Sequence, residues 1–170
     1  MFDKLPDSKF AKPQLESAHQ PNIHVAQAMQ AALEQPLLYP PLSESVFSGD
    51  SVAIVLQADL PHAKLVLECL LERLGTLNIE PSDIAVVITA RTAQKIGIDA
   101  EIYEQAKENL AEGSQPGTFV VEFGFHAINF QVHDSDNQAA HAYLAANAEG
   151  EPVHVNRVLV DADVVIPIGA

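Results

Sequence analysis

Basic residues are scarce: the 170-residue chain carries nine Lys and Arg against 23 Asp and Glu, a formal net charge of −14. The few cations are scattered from Lys4 to Arg157. With no basic stripe to neutralise phosphates, nucleic acid and anionic membrane surfaces are excluded as partners, and the acidity is read as serving solubility. There is one cysteine, Cys69, so no intramolecular disulfide can form, in keeping with a reducing compartment. Set in the apolar run Lys64-Leu-Val-Leu-Glu-Cys-Leu-Leu, it reads as a buried small hydrophobe rather than a nucleophile. No stretch approaches the ~20 apolar residues of a membrane span, and Met1-Phe-Asp-Lys-Leu-Pro-Asp-Ser-Lys-Phe lacks the apolar centre of a signal peptide. A cytoplasmic protein is therefore expected. Glycines number eight and form no Gly-x-Gly-x-x-Gly, no Walker-type phosphate loop and no Gly-x-Ser-x-Gly elbow, and there is no Cys-x-x-Cys. Most familiar enzyme classes are thereby unsupported. The seven histidines, His19, His24, His62, His126, His133, His141 and His154, include no pair at helical i, i+4 spacing and no close cluster, so metal binding by this chain alone is not expected.

What is present is a series of apolar runs punctuated by turn residues. The first 22 residues carry Pro6, Pro13 and Pro21 and predict an extended lead-in. A single α/β domain is expected over residues 23–170, because no repeat or linker divides them. Val25-Ala-Gln-Ala-Met29-Gln-Ala-Ala-Leu33 predicts an amphipathic helix from about His24 to Gln35, stopped by Pro36. Pro36 to Ser45 reads as an irregular connection. Ser51-Val-Ala-Ile-Val-Leu reads as a strand buried on both faces, the kind found in parallel sheets. The helix that follows, Leu65 to Leu74, has Asp59 available as a cap and Pro61 at its first position, and Gly75 would end it. Ile84 to Thr89 is a second strand, Ala90-Arg91-Thr92 a connection, and Asp99 to Leu110 a second helix ended by Gly113. Two strand–helix units in series predict a Rossmann-like, mostly parallel sheet flanked by helices. The C-terminal third adds strands at Gly117–Phe123, Ala127–Val132, Ala140–Leu144 and about Val153, a helical turn capped by Asn156, and a last strand from Asp163 to Gly169. The order of these strands is not readable from the sequence.

Ligands collect at the carboxyl ends of parallel strands, which selects Gln57-Ala-Asp-Leu-Pro-His62, Thr89-Ala-Arg-Thr92 and Pro167-Ile-Gly-Ala170. Gln57, Asp59, His62, Thr89, Arg91 and Thr92 are the polar groups offered there. A carboxylate, an imidazole and a guanidinium together can hold or deprotonate a small acid. Plainer readings compete: Asp59 as a helix cap, His62 as a solvated first-turn residue, Arg91 as half of an ion pair. His133-Asp134 sits at a strand end and serves either a ligand or a local turn.

Several segments resemble the N-terminal domain of the nickel-dependent lactate racemase family. They are Ala32-Leu-Glu-Gln-Pro-Leu-Leu-Tyr-Pro-Pro-Leu, Gly49-Asp-Ser-Val-Ala-Ile-Val and, most specifically, Ala148-Glu-Gly-Glu-Pro-Val-His-Val-Asn-Arg-Val-Leu-Val-Asp-Ala-Asp-Val-Val-Ile. The resemblance implies a racemase or epimerase of a 2-hydroxy acid that uses a nickel pincer nucleotide, with Asp59, His62 and Arg91 as catalytic candidates and Gln57, Thr89 and Thr92 as cofactor-binding candidates. It also implies a C-terminal domain of the same protein as partner and a small hydroxy acid as substrate. The family's Asp-x-Thr-Arg-Pro falls on Gln57-Ala-Asp-Leu-Pro61, and its His-Arg after the second strand falls on Ala90-Arg91. Leu60 thus stands where an arginine is expected and Ala90 where a histidine is. An alanine is no acid or base. The family's cofactor tether and nickel ligand are expected beyond Ala170, so this chain is not expected to be active alone. The competing reading is a non-catalytic ligand-binding or interaction module of the same fold.

Overall fold

The computed structural model describes residues 23–108, 117–123 and 126–169. The expected lead-in and Gly113 lie outside them. Helix α1 (Ile23–Glu34) and a single turn, α2 (Leu42–Ser45), precede strand β1 (Val52–Leu56). Helix α3 (Ala63–Thr76) leads to β2 (Ile84–Ile88), and α4 (Ala90–Ile96) and α5 (Ala100–Glu108) lead on to β3 (Thr118–Phe123) and β4 (His126–Val132). The last part holds β5 (His141–Ala146), β6 (Pro152–Asn156), α6 (Arg157–Asp161) and β7 (Val164–Ile168).

Five strands form one sheet in the order β3-β4-β2-β1-β7. β1 pairs in parallel with β2 and with β7, β2 pairs in parallel with β4, and only β3 runs antiparallel. The expected mostly parallel α/β sheet is what the chain forms. Successive side chains on a strand point to opposite faces. One face, Val52, Ile54, Leu56, Ile84, Val86, Ile88, Ile128, Phe130 and Val132, makes a single buried cluster with Leu67, Leu70, Leu71 and Leu74 of α3, Ala93 and Ile96 of α4, and Tyr103 and Ala106 of α5. The alternate positions carry Ala53, Val55, Ala85, Val87, Asn129 and Gln131, and towards the edges the exposed Val120 and Val165. On that side lies β5–β6, a two-stranded antiparallel sheet separate from the main one. Its turn is held by Asn147, whose side-chain oxygen accepts from the backbone N–H groups of Glu149 and Glu151.

Three local expectations are corrected. Asp59 does not cap α3: the residue before the helix is His62 in the left-handed region (φ 56°), with no side-chain cap. Gly75 lies inside α3 rather than ending it. The left-handed residue is Asn78 (φ 61°), with Ile79 N–H donating to the Leu74 carbonyl and Asn78 N–H to that of Gly75; asparagine tolerates this backbone nearly as glycine does. Ala90-Arg91-Thr92 is no connection but the first turn of α4, which Gly97 (φ 84°) terminates in the same way. Cys69 is half-buried, and burial with Glu72 and Glu68 nearby pushes its thiol pKa up, as suits a thiol that is not a nucleophile.

The amino ends of β1 and β7 are joined by one carboxylate. Asp163 Oδ2 accepts from Ser51 N–H at 2.9 Å and from Ser51 Oγ at 2.7 Å. These bonds hold the Asp163 pKa below its ordinary value of 3.8. A depressed folded-state pKa contributes stability above the unfolded-state value, and this is lost as pH falls through the folded one. Acid unfolding followed by circular dichroism should therefore begin at lower pH in the wild type than in a variant without this carboxylate. Asp163→Asn should be less stable near neutrality, and the difference from wild type should shrink as pH falls below the ordinary value of 3.8. A difference independent of pH would show that the charge is not involved.

Candidate functional site

The parallel register sets β4, β2, β1 and β7 side by side with their carboxyl ends together. The chain leaves these ends at His133, Thr89, Gln57 and Gly169. His133 N–H still donates to the Ile88 carbonyl at 2.8 Å, and Gln57 N–H to that of Ile168 at 3.0 Å, so the strand order persists into the loops. The Gln57 side chain crosses the backbone at Gly169 so closely that a Cβ there would collide with its carboxamide oxygen.

Asp59, in the loop after β1, meets Arg91, in the first turn of α4, at 2.7 Å between Oδ1 and Nη2, and both side chains remain more than half exposed. The pair exists because Val52 is in register with Ile84 and the two loops leave adjacent strands. His62 stands exposed at the far end of the Asp59 loop.

Thr89 and Thr92 form a short hydrogen-bond chain. Thr89 Oγ1 accepts from Thr92 N–H at 3.3 Å, capping α4. Thr92, fully buried, donates its hydroxyl to the Leu56 carbonyl at 3.2 Å. Its only proton being used, the 3.0 Å contact between the two hydroxyls must be donated by Thr89. Thr92 thus ties α4 to the end of β1 from beneath, whereas Thr89 is exposed. Thr92→Val keeps the shape and removes the bond. It is expected to lower unfolding free energy by about 1 kcal/mol, read in urea; Thr92→Ser should recover most of it, and no loss at all would mean that the hydroxyl does not hold α4.

The sequence did not disclose a second feature of these strand ends. A cavity of about 330 Å³ lies between them and β6–α6, lined by Thr89, His133, His154 and Asn156 among apolar residues. The His133 ring packs edge-on against His141 at 5.5 Å and the His154 ring against Tyr143 at 6.0 Å. Asn156 is buried: its Oδ1 caps α6 by accepting from Val158 N–H, while its Nδ2 has no hydrogen-bond partner. The signal in the sequence was His133 at a strand end. Its neighbours come from a hairpin some twenty residues on, and only the tertiary path brings them together. A larger hollow of about 420 Å³, which includes Asp83 and Asp161, opens at the opposite, amino end of the strands, away from the loops where ligands gather.

Among the described residues no three His, Cys, Asp or Glu side chains gather where they could hold a metal ion, and no helix is long and apolar enough to cross a membrane. Comparison with known proteins matches residues 3–170 to the family described as the lactate racemase N-terminal domain. No curated protein matches. Among solved structures, that of the lactate racemase apoprotein from Thermoanaerobacterium thermosaccharolyticum is similar, with 19% identity and a TM-score of 0.48 over 84% of this chain. The chain spans 31% of that structure's length.

Proposed function

Since the chain belongs to the lactate racemase N-terminal domain family, we propose that it forms the amino-terminal part of a cytoplasmic isomerase, a racemase or epimerase of a 2-hydroxy acid. Its share of the active site is the crevice over the carboxyl ends of β2, β1 and β7. The observation that carries this reading is the Asp59–Arg91 pair at 2.7 Å, a guanidinium and a carboxylate set at the strand ends where ligands of open α/β sheets bind.

In this reading Arg91 receives the substrate carboxylate with two parallel N–H donors. Asp59, displaced from Arg91 by that carboxylate, is left to accept the proton of the 2-hydroxyl. His62, on the same loop, is the second proton carrier. Gln57 and Thr89 present hydrogen-bonding groups to a cofactor, and Thr92 positions Thr89. In this reading the chain is inactive alone and a C-terminal domain of the same protein, carrying the cofactor tether and nickel ligand, completes the site; Ala90 provides no acid or base where the resemblance expects one. The nickel pincer nucleotide that the family resemblance implies needs metal ligands. No three suitable side chains gather among the described residues, so these residues do not form a metal site by themselves.

The test is the intact mass and metal content of the native gene product, with racemisation of D- and L-2-hydroxy acids assayed on it. A product more than twice 18.3 kDa that carries nickel and inverts a 2-hydroxy acid supports the reading. A product of 18.3 kDa without nickel or activity overturns it in favour of a ligand-binding module, to which the absence of a histidine at Ala90 already points.

A further inference from the structure

We propose that the protein pairs with a second copy of itself through the surface beside β7, the loop Leu37-Leu38-Tyr39 of each copy seated in the apolar groove between α1, α2 and β7 of the other. The surface runs along the outer edge of the main sheet and not over its strand ends, so the proposal does not rest on the isomerase reading.

The loop between α1 and α2 holds three consecutive large apolar side chains that no described residue covers: Leu37 is 94% exposed, Leu38 104% and Tyr39 73%. Apolar residues scattered singly over a surface need no explanation, but a contiguous group marks an interaction site. Leu38 also has a left-handed backbone (φ 58°), which disfavours any side chain with a β-carbon, and strain of this kind persists only where its surroundings impose it. Pro36, Pro40 and Pro41 bracket the turn, and each fixes its own φ. The three side chains are therefore presented on a backbone with little freedom left to lose on docking.

Beside the loop lies a groove of about 560 Å³. Leu33 of α1, Leu42 of α2, and Val164 and Ile166 of β7 form its apolar walls, and Tyr39 lines it too. Asp163 is the one charged residue of the lining, and Ser51 already holds its carboxylate. As the outer strand of the main sheet, β7 offers an open edge, which invites another strand. Val164 N–H donates to the Ser51 carbonyl and Ile168 carbonyl accepts from Gln57 N–H, so it is the alternate residues, Val165 and Pro167, that turn their backbone groups outward. Pro167 has no N–H to give there. The groove is thereby fitted for side chains rather than for an added strand.

Shape, charge and area select a second copy as the occupant. The convex loop and the concave groove adjoin and share Tyr39, so a two-fold axis passing near Tyr39 brings loop to groove twice over, the self-complementarity that an isologous dimer requires. In a chain of net charge −14, no residue from Gln35 to Ser43 is charged. A charged partner would find no counter-charge on this surface, whereas a second copy presents one equally neutral and apolar. With three large side chains leaving water on each copy, together with the groove walls they fill, the buried surface reaches the order of 1,000 Å² that a specific interface needs.

The experiment is sedimentation equilibrium of the native gene product over about a hundredfold range of concentration, wild type beside Leu38→Asn and Val165→Lys. The wild-type mass is expected to rise with concentration to twice the monomer value, and each variant to raise the dimer Kd about tenfold or more, as for the loss of an interface anchor. Asparagine adopts the left-handed backbone more readily than leucine, so dilute, monomeric Leu38→Asn should melt no lower than wild type, which separates lost association from lost folding. Val165→Lys puts a charge on the groove wall at a position already exposed. A product that stays monomeric at every concentration, its groove then left to further residues of its own polypeptide or to another protein, overturns the proposal. So does a dimer whose affinity both variants leave unchanged.

Discussion

Replacing Phe130 by alanine is expected to lower the free energy of unfolding by about 3–5 kcal/mol. Phe130 has no solvent exposure and sits at the middle of β4, with the Phe119 and Phe123 rings of the neighbouring strand each 5.8 Å away, centroid to centroid. The loss has two parts: the apolar surface no longer buried, and a cavity that the surroundings cannot fill. Here collapse is resisted from both sides. Main-sheet hydrogen bonds hold the backbone between β2 and β3, and the opposing helices are anchored in the same cluster. Aromatic pairs add about 0.5–1.5 kcal/mol beyond burial, so Phe130→Leu should cost visibly less than alanine but more than nothing. Equilibrium urea unfolding of the two variants measures both terms. A loss below about 1.5 kcal/mol for alanine would mean that β3 and α5 close over the gap, and the ring stack would then not be a fixed part of the core.

Arg91→Ala should separate stability from binding. Its partner Asp59 is half exposed, and ion pairs of that kind contribute about 0–1 kcal/mol, so the melting temperature should scarcely move. Carboxylate binding at the strand ends should weaken by about 1.5–3 kcal/mol, a loss of roughly ten- to 150-fold, because a charge-assisted pair is removed. An incoming carboxylate does not add a contact to an idle guanidinium: it exchanges with Asp59. Asp59→Asn, which keeps the shape and removes the competing charge, should therefore bind a plain carboxylate more tightly than wild type while failing in any step that needs Asp59 as a base. Calorimetric titration of the native protein with a 2-hydroxy acid tests both variants. Equal affinity in wild type and Arg91→Ala would take Arg91 out of the site.

The readable parts of the sequence were those in which burial writes a continuous pattern. β1 and β2 are short apolar runs between turn residues, and both lie where the sequence places them. α4 was not readable, because seven residues are too few to show periodicity; its boundaries were written only in Thr89 as cap and Gly97 as terminator. Gly75 misled because the left-handed position fell three residues later, on Asn78. Of the site, Asp59 and Arg91 were each named but not as a pair, since pairing depends on two loops leaving neighbouring parallel strands. The cavity was beyond reach for a topological reason. After β4 the chain leaves the main sheet, forms β5 and β6 apart from it, and returns beside β1 as β7. No local pattern specifies that excursion.

The cavity's two walls therefore differ in what it takes to move them. Val55, Leu56, Val87 and Ile88 belong to a parallel ladder and can yield only if main-sheet hydrogen bonds break. His154 and Val155 belong to strands hydrogen-bonded to each other alone, and such a pair has little stability of its own. It owes its place to side-chain packing, which can slide by fractions of an ångström at small cost. Any change in the cavity's width thus comes from the hairpin side alone.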